Sequence, residues 1–584
     1  MKIKHLFGLA VIAAMTASCS SNEDLGTAGP GTGTNEAGVG YAIFTINLPS
    51  VSGTRAAGAG GAEMNEGTEE EYAVKSATAL IFQKYGSDEG SYKFVESVTL
   101  PIDGWKDDPT DGITTTSKKL VAKLTNVDTK NDYSVLILLN NNKTGGGAKV
   151  ELPTAGQSYN DWNSKILTPS VTDLAASGDF YMANAPLKGS AASPATLVPI
   201  DKNKIYASEA EANKPTNDCA ATVFVERGVA KMTVAAPGTI TVKDKATTKP
   251  TKSQVTFSNW ALDITNKKTF AVHNIDGLSS DFSTIWNTDP SNRFIGTNNR
   301  VYWGKDPNYD KNELKLTDEA VAKRKDEFNF ITATSEINKD FTNTTNTNPV
   351  YCLENTFNLA NMYQGQTTRV IFKATYTPKD DAGNPLADKD GTFYTIGNMK
   401  TILNTDKLKA AVDAVANPVL PTGYTIDYTN FKTEGSHVIT LTDIKDSTGK
   451  TLVGDTDYSG KTGTEIVKEI NDKLGLKAGR PEEMVGINTY LKGVTYYIAR
   501  VKHFGSLTPW NSGESYGTDN GKYLGRYGML RNNWYDLTVG NVYGPGYPGV
   551  PPVDPNQPDD ENEKYLSVSV KILSWAKRSD TVDL

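Results

Sequence analysis

The sequence predicts an all-β fold: two β-sandwich-like domains in tandem, short helical insertions in the second, and a last strand carried on a Pro-rich linker. Three observations carry this. Runs of strand length, rich in β-branched and aromatic residues, recur along the chain. Between them stand 51 Gly and 27 Pro with many Asn, Asp, Ser and Thr, the composition of turns between short strands. At 584 residues the chain exceeds one ordinary core, so two domains are expected.

The first 19 residues form a processing signal. Lys2, Lys4 and His5 precede the apolar run Leu6 to Met15, and Thr16-Ala17-Ser18 leads into Cys19. The run is too short to span a bilayer. Its ending resembles a bacterial lipobox, in which the cysteine thiol is acylated and becomes the mature N-terminus, so Cys19 is the expected lipidation site. The acidic run Ser20 to Asp24 resembles the surface-export signal of Bacteroidales lipoproteins. With Cys19 acylated, only Cys219 and Cys352 remain. They are read as buried thiols in a fold that no disulfide framework holds together.

Leu25 to Glu36 is a flexible tether. A strand follows at Tyr41 to Leu48, with Ala42, Phe44, Ile46 and Leu48 on one face. Pro49 to Gly61 is then a flexible Gly/Ala/Ser stretch holding a single Arg, the kind of segment a protease can reach, with Arg55-Ala56 as the expected cleavage point. Residues 20–55 therefore read as a tether plus a removable first strand.

The N-terminal domain is placed at 56–225, with strands at Lys75 to Phe82, Tyr92 to Leu100, Lys119 to Leu124, Tyr133 to Leu139, Phe180 to Ala183 and Thr222 to Val225. The C-terminal domain is placed at 226–545. Its strands include Ala230 to Val234, Gln254 to Ile264, Thr368 to Thr377, Val494 to Phe504 and Asn533 to Val539. Helical insertions are expected at Glu319 to Phe328, Asp406 to Val415 and Thr464 to Leu474, whose Ala, Lys, Glu and Leu content suits surface helices.

Gly544 to Glu563 is rich in Pro, Gly and Asp, and is expected to be extended and unable to pack; the linker is set at 546–564. Beyond it, residues 565–584 supply an apolar strand with Leu566, Val568, Val570 and Ile572 on one face, then Trp575. Having no neighbour in its linker, this strand must find a groove elsewhere.

The pattern excludes several function classes. A formal net charge of -8, from 60 basic and 68 acidic residues without a basic block, argues against a nucleic-acid partner. His5, His273, His437 and His503 are scattered and form no catalytic or metal motif. Ser447 to Thr451 imitates a phosphate loop but has Ile444 where the first Gly belongs. Asp455 to Gly460 imitates a calcium loop but has Ile466 at the bidentate position. Asp380 to Gly383 and Asp388 to Gly391 read as hairpin tips. No catalytic residue, metal ligand or cofactor is expected.

In order and spacing these segments resemble the Bacteroidales fimbrillins (type V pilins), in particular the major shaft subunit of short fimbriae. The residues that carry the likeness are Cys19; Ser52 to Ala56; Val225-Glu226-Arg227-Gly228-Val229-Ala230-Lys231; Thr368 to Lys379; Leu530 to Tyr535; the Pro-rich linker; and Ser567 to Val570 through Trp575 to Val582-Asp583-Leu584. Residues 401–483 have no counterpart in that pattern.

The resemblance implies a pathway. A precursor anchored by lipid in the outer membrane is cut after Arg55 by an arginine-specific surface protease. Its first strand leaves, and the C-terminal donor strand of a neighbouring copy fills the groove. Other copies, minor tip and anchor subunits, and host or bacterial surface receptors are the implied partners of a fimbrium on the cell surface. A tip subunit should lack the donor strand and an anchor the cleavable Arg. Outside this family, a glycan-binding surface lipoprotein shares the signal and the β-domains, and would use Trp105, Trp162 or Trp510 for stacking on sugars.

Overall fold

The alternating run around Phe44 does become a strand, and it lies inside a sheet rather than along its rim. The structure is a computed structural model and describes residues 33–48, 67–102, 117–143, 146–188, 194–281, 301–311, 318–341, 348–358, 361–397, 401–477, 485–503, 524–553 and 566–574. The N-terminal domain is a nine-stranded sheet of β1 (Gly40–Asn47), β2 (Ala77–Gln83), β3 (Lys93–Leu100), β4 (Ser117–Leu124), β5 (Tyr133–Leu139), β6 (Met182–Asn184), β7 (Val198–Ile200), β8 (Ile205–Tyr206) and β9 (Ala221–Arg227). Its path runs β8-β1-β9-β6-β5-β2-β3, with β4 also paired to β1 and β7 to β5. The sheet curls until β3 nears the end of β4, where the Glu96 carboxylate accepts the backbone N–H groups of Thr125 and Asn126 at 3.0 Å each. Phe44, Phe82, Leu136, Met182 and Val223 fill the core this encloses. β5 is buried along its whole length, which explains its unbroken apolar sequence.

The C-terminal domain is a sandwich. Further strands are β10 (Ala230–Val234), β11 (Thr239–Lys243), β12 (Pro250–Asp263), β13 (Val350–Cys352), β14 (Arg369–Thr377), β15 (Val494–Arg500), β16 (Asn533–Val542) and β17 (Leu566–Ser574). One sheet runs β13-β10-β16-β17 and the other β11-β12-β14-β15. Trp260, Phe372, Tyr497, Tyr535 and Leu537 lie between them.

Three expectations need correction. The region 226–545 is not one β-unit: Leu408, Val412, Ile444, Ile466 and Ile470 form a core of their own between two helices, Thr405–Ala416 and Gly463–Leu474. Each helix buries a single apolar stripe, so both belong to this small module rather than lying loose on the sandwich. The linker packs over its first half, where Gly544, Gly546, Pro548 and Pro551 are buried. Proline removes a donor but keeps its carbonyl, and the domain supplies the donors. The final strand is paired within its own chain, antiparallel to β16. Cys352 is a free buried thiol, raised to about 12 by burial, and Cys219, also buried, does not bridge to it.

The junction segment Val225 to Lys231 shows why these residues stand together. Glu226 and His273 Nδ1 lie 2.8 Å apart, both nearly inaccessible. Gly228 passes so close to Tyr181 that a Cβ would lie 2.9 Å from its ring. Lys231 Nζ lies 2.6 Å from Glu71 Oε1, which also accepts from the Tyr351 hydroxyl at 2.6 Å. Arg227 donates to the Glu71 carbonyl and to Asn532. Burial alone would raise the Glu71 carboxyl; the Lys231 and Arg227 charges reverse this and hold it below the usual range. Glu71 therefore ties the first domain to β10 and β13, and Arg227 ties it to the turn before β16. Lys231→Met, which strands the Glu71 charge, is expected to destabilise the protein by about 3–5 kcal/mol. Adding Glu71→Gln should recover part of that loss, as read by urea unfolding.

Candidate assembly site

β1 is hydrogen-bonded on both edges. Along one, all eight residues Gly40 to Asn47 pair antiparallel with β4, from Gly40↔Leu124 to Asn47↔Ser117. Along the other, Tyr41 and Ala42 pair antiparallel with β8, and Phe44 to Asn47 pair parallel with β9. Period-two alternation puts Ala42, Phe44, Ile46 and Leu48 into the main core, at 0, 0, 0 and 2% exposure. On the opposite face Ile43 joins Tyr206, Ala212 and Cys219 in a smaller cluster. Gly40 is required where the strand enters, because a Cβ there would meet Ile205 Cγ2 at 2.6 Å.

The four residues singled out in the first strand are thus together in one core-facing row. Removing β1 would leave a slot between β4 and β9 with two unpaired edges and an open apolar floor. Unpaired, buried backbone groups of this kind strongly favour a replacement strand.

The C-terminal strand has the matching chemistry at a different address. Leu566, Val568, Val570 and Ile572 stand in register with Val542, Val539, Leu537 and Tyr535 of β16. All four partners are buried. β17 is the last strand of that sheet and has one ladder partner, whereas β1 is paired along both edges, with β4 on one and β8 and β9 on the other.

Cys19, Arg55, Ala56, Trp105, Trp510 and Trp575 lie outside the described residues. Trp162 is 4% exposed and donates its indole N–H to the Glu151 carbonyl at 2.8 Å, so it offers no face to a sugar. His503 meets the Tyr535 hydroxyl at 2.6 Å and His437 the Thr433 carbonyl at 3.0 Å. The Ser447 to Thr451 segment is a turn closed on the Asp446 carboxylate, which accepts from the Thr448 and Lys450 backbones. Asp457 closes another by accepting from the Gly460 N–H. Among the described residues no cluster of three His, Cys, Asp or Glu could hold a metal ion, and no helix is long and apolar enough to cross a membrane.

Residues 488–581, which run from the β15 region through the linker and β17, match the family described as "Major fimbrial subunit protein type IV, Fimbrillin, C-terminal". Over these residues the chain is similar to the fimbrillin C-terminal region. The resemblance read from the sequence is borne out over these residues. Solved structures that align along most of the chain are loose likenesses. A candidate cell adhesion protein of Parabacteroides distasonis is 11% identical, with 92% of this chain and 99% of that one covered and a TM-score of 0.36. One from Bacteroides eggerthii is 11% identical, with 95% and 99% covered and a TM-score of 0.33. The tip fimbrial protein Mfa3 of Porphyromonas gingivalis, truncated at its C-terminus, is 8% identical, with 92% and 100% covered and a TM-score of 0.28. No curated protein sequence is significantly similar to the chain.

Sequence reasoning missed the groups that hold the segments in place: Glu71 at the junction, and Asp263, Tyr490 and Tyr497 beneath the linker. The one available signal was a charged residue opening an apolar strand, as Arg369 does in Arg-Val-Ile-Phe.

Proposed function

We propose that this fimbrillin-type chain is the shaft subunit of a surface fimbria, exported as a lipid-anchored precursor and polymerised by strand exchange. The observation that carries the reading is that β1 fills the middle of a sheet and the floor of a core, yet is joined to the rest of its domain through the segment containing Arg55. Cleavage after Arg55 by an arginine-specific surface protease would free β1 from the chain. The terminal strand of a neighbouring copy, with Leu566, Val568, Val570 and Ile572 in one row, would then take its slot. Its pairing with β16 is the resting state this requires: an apolar strand on an exported monomer is covered until a better groove is offered. The role is structural, not catalytic. Tip and anchor subunits are the further partners, and surface receptors the targets of adhesion.

Electron microscopy of cells with and without the gene tests this directly: fimbriae should vanish with the gene and return with its complementation. Unchanged fimbriae would reject the shaft role. Lipidation makes a separate prediction. Cys19→Ala should abolish incorporation of an alkyne fatty acid and release the precursor from the outer membrane, whereas equal labelling of both proteins would remove the anchor from the account.

A further inference from the structure

The first half of the Pro-rich linker is built into the C-terminal domain by a set of bonds that a passive spacer would not need. After β16 the chain turns along β15. The Tyr497 hydroxyl donates to the Gly544 carbonyl at 2.9 Å and the Tyr490 hydroxyl to the Gly546 carbonyl at 2.8 Å. The Gly546 N–H donates to Thr495 Oγ1 at 2.9 Å. Tyr547 and Tyr496 exchange both backbone bonds, at 2.6 and 2.9 Å, so the linker covers the free edge of β15. Gly546 is pressed so close to β15 that a Cβ would lie 2.0 Å from the Tyr496 carbonyl oxygen.

The path ends on a guanidinium. Arg369, at 3% exposure, pairs through Nε with Asp263 Oδ2 at 2.8 Å and gives its two terminal nitrogens to the Pro552 and Pro551 carbonyls at 2.9 and 2.6 Å. Asp263 fixes the plane of the fork and the prolines hold their carbonyls in place, so both ends of the clamp are preorganised. Val553, just beyond it, packs against Ile264 and Phe328.

We propose that Arg369, held by Asp263, and the β15 edge moor the linker. The terminal strand would then be delivered to a neighbour from a fixed point, with residues 554–565 alone setting the spacing between subunits. The inference rests on the strand-exchange reading. Residues 554–565 reach at most about 40 Å when fully extended, whereas a linker free from Tyr543 would reach roughly 80 Å. The shorter leash confines the strand to a smaller volume, which raises its effective concentration at the next groove and leaves one repeat distance instead of many.

Two variants separate the mooring from the fold. Arg369→Lys keeps a cation for Asp263 but cannot span two carbonyls. Gly546→Ala sets a methyl group against the Tyr496 carbonyl and the edge of the Tyr497 ring and so lifts the linker from β15. In processed wild-type monomer the Tyr547 amide should exchange slowly with deuterium. In both variants exchange should be faster on the order of 10-fold, the loss of about one backbone bond, with no comparable change across β12 and β14. Fibres of the variants should lose the single sharp subunit repeat of wild type in cryo-electron micrographs. Fast Tyr547 exchange in wild type, or variant fibres with the wild-type repeat, overturns the mooring. Wild-type fibres in which 566–574 still pair with their own β16 reject the strand-exchange reading instead.

Discussion

An Arg55→Ala precursor is expected to be exported and folded but absent from fimbriae. The reason is the double pairing of β1. Phe44, Ile46 and Leu48 each contribute about 1.5–3 kcal/mol by leaving water, so spontaneous departure of the strand is disfavoured by roughly 5–9 kcal/mol before its ladders to β4, β8 and β9 are counted. The open groove is therefore populated on the order of 1 part in 10⁴ or less. An uncut strand also remains tethered beside its own slot, and competes with any donor at high effective concentration. Cutting the chain removes that advantage, because a released strand dilutes away. Blotting of sheared surface fractions should show variant monomer in the membrane and no polymer, and N-terminal sequencing of wild-type fimbriae should begin at Ala56. Polymer retaining Phe44 would show that β1 need not leave.

Deleting Tyr565 to Leu584 is expected to leave a processed monomer that does not extend a fimbria. The C-terminal sheet keeps β13-β10-β16, and Arg369 still moors the linker. The deletion strips one ladder from the edge of β16, which a domain with its sandwich core intact tolerates. Assembly loses its donor altogether. Val570→Asp should act in the same direction, because a carboxylate placed on the floor of the β1 slot would be buried without a partner at a cost of several kcal/mol. Size-exclusion chromatography and negative-stain microscopy separate the outcomes. Fibres of normal length from the deleted protein would refute donation by the tail.

The strands were legible because burial on one face writes an alternation that survives any tertiary context. Tyr41 to Leu48 was placed within one residue of β1, and Ala230 to Val234 coincides with β10. The two helices of the small module were legible to within one residue at each end from their Ala, Lys, Glu and Leu content. That they enclose a separate core was not, because which apolar stripes meet is a property of the assembled chain. The linker was misread because Pro advertises a missing donor and Gly a missing side chain, while the carbonyls that Tyr490, Tyr497 and Arg369 bind are present in every residue. The self-pairing of the last strand could not be read from its own residues either: the alternation in Leu566 to Ile572 specifies a face, not the edge it joins.

The central claim is that the strand leaving the β1 slot is replaced by the C-terminal strand of another copy. A cryo-EM map of native fimbriae that resolves side chains decides it. The account predicts that each N-terminal domain lacks residues 41–48 and holds, between β4 and β9, density continuous with residues 566–574 of the adjacent subunit. Density for Phe44 still seated between β4 and β9, with 566–574 lying on their own β16, would contradict it.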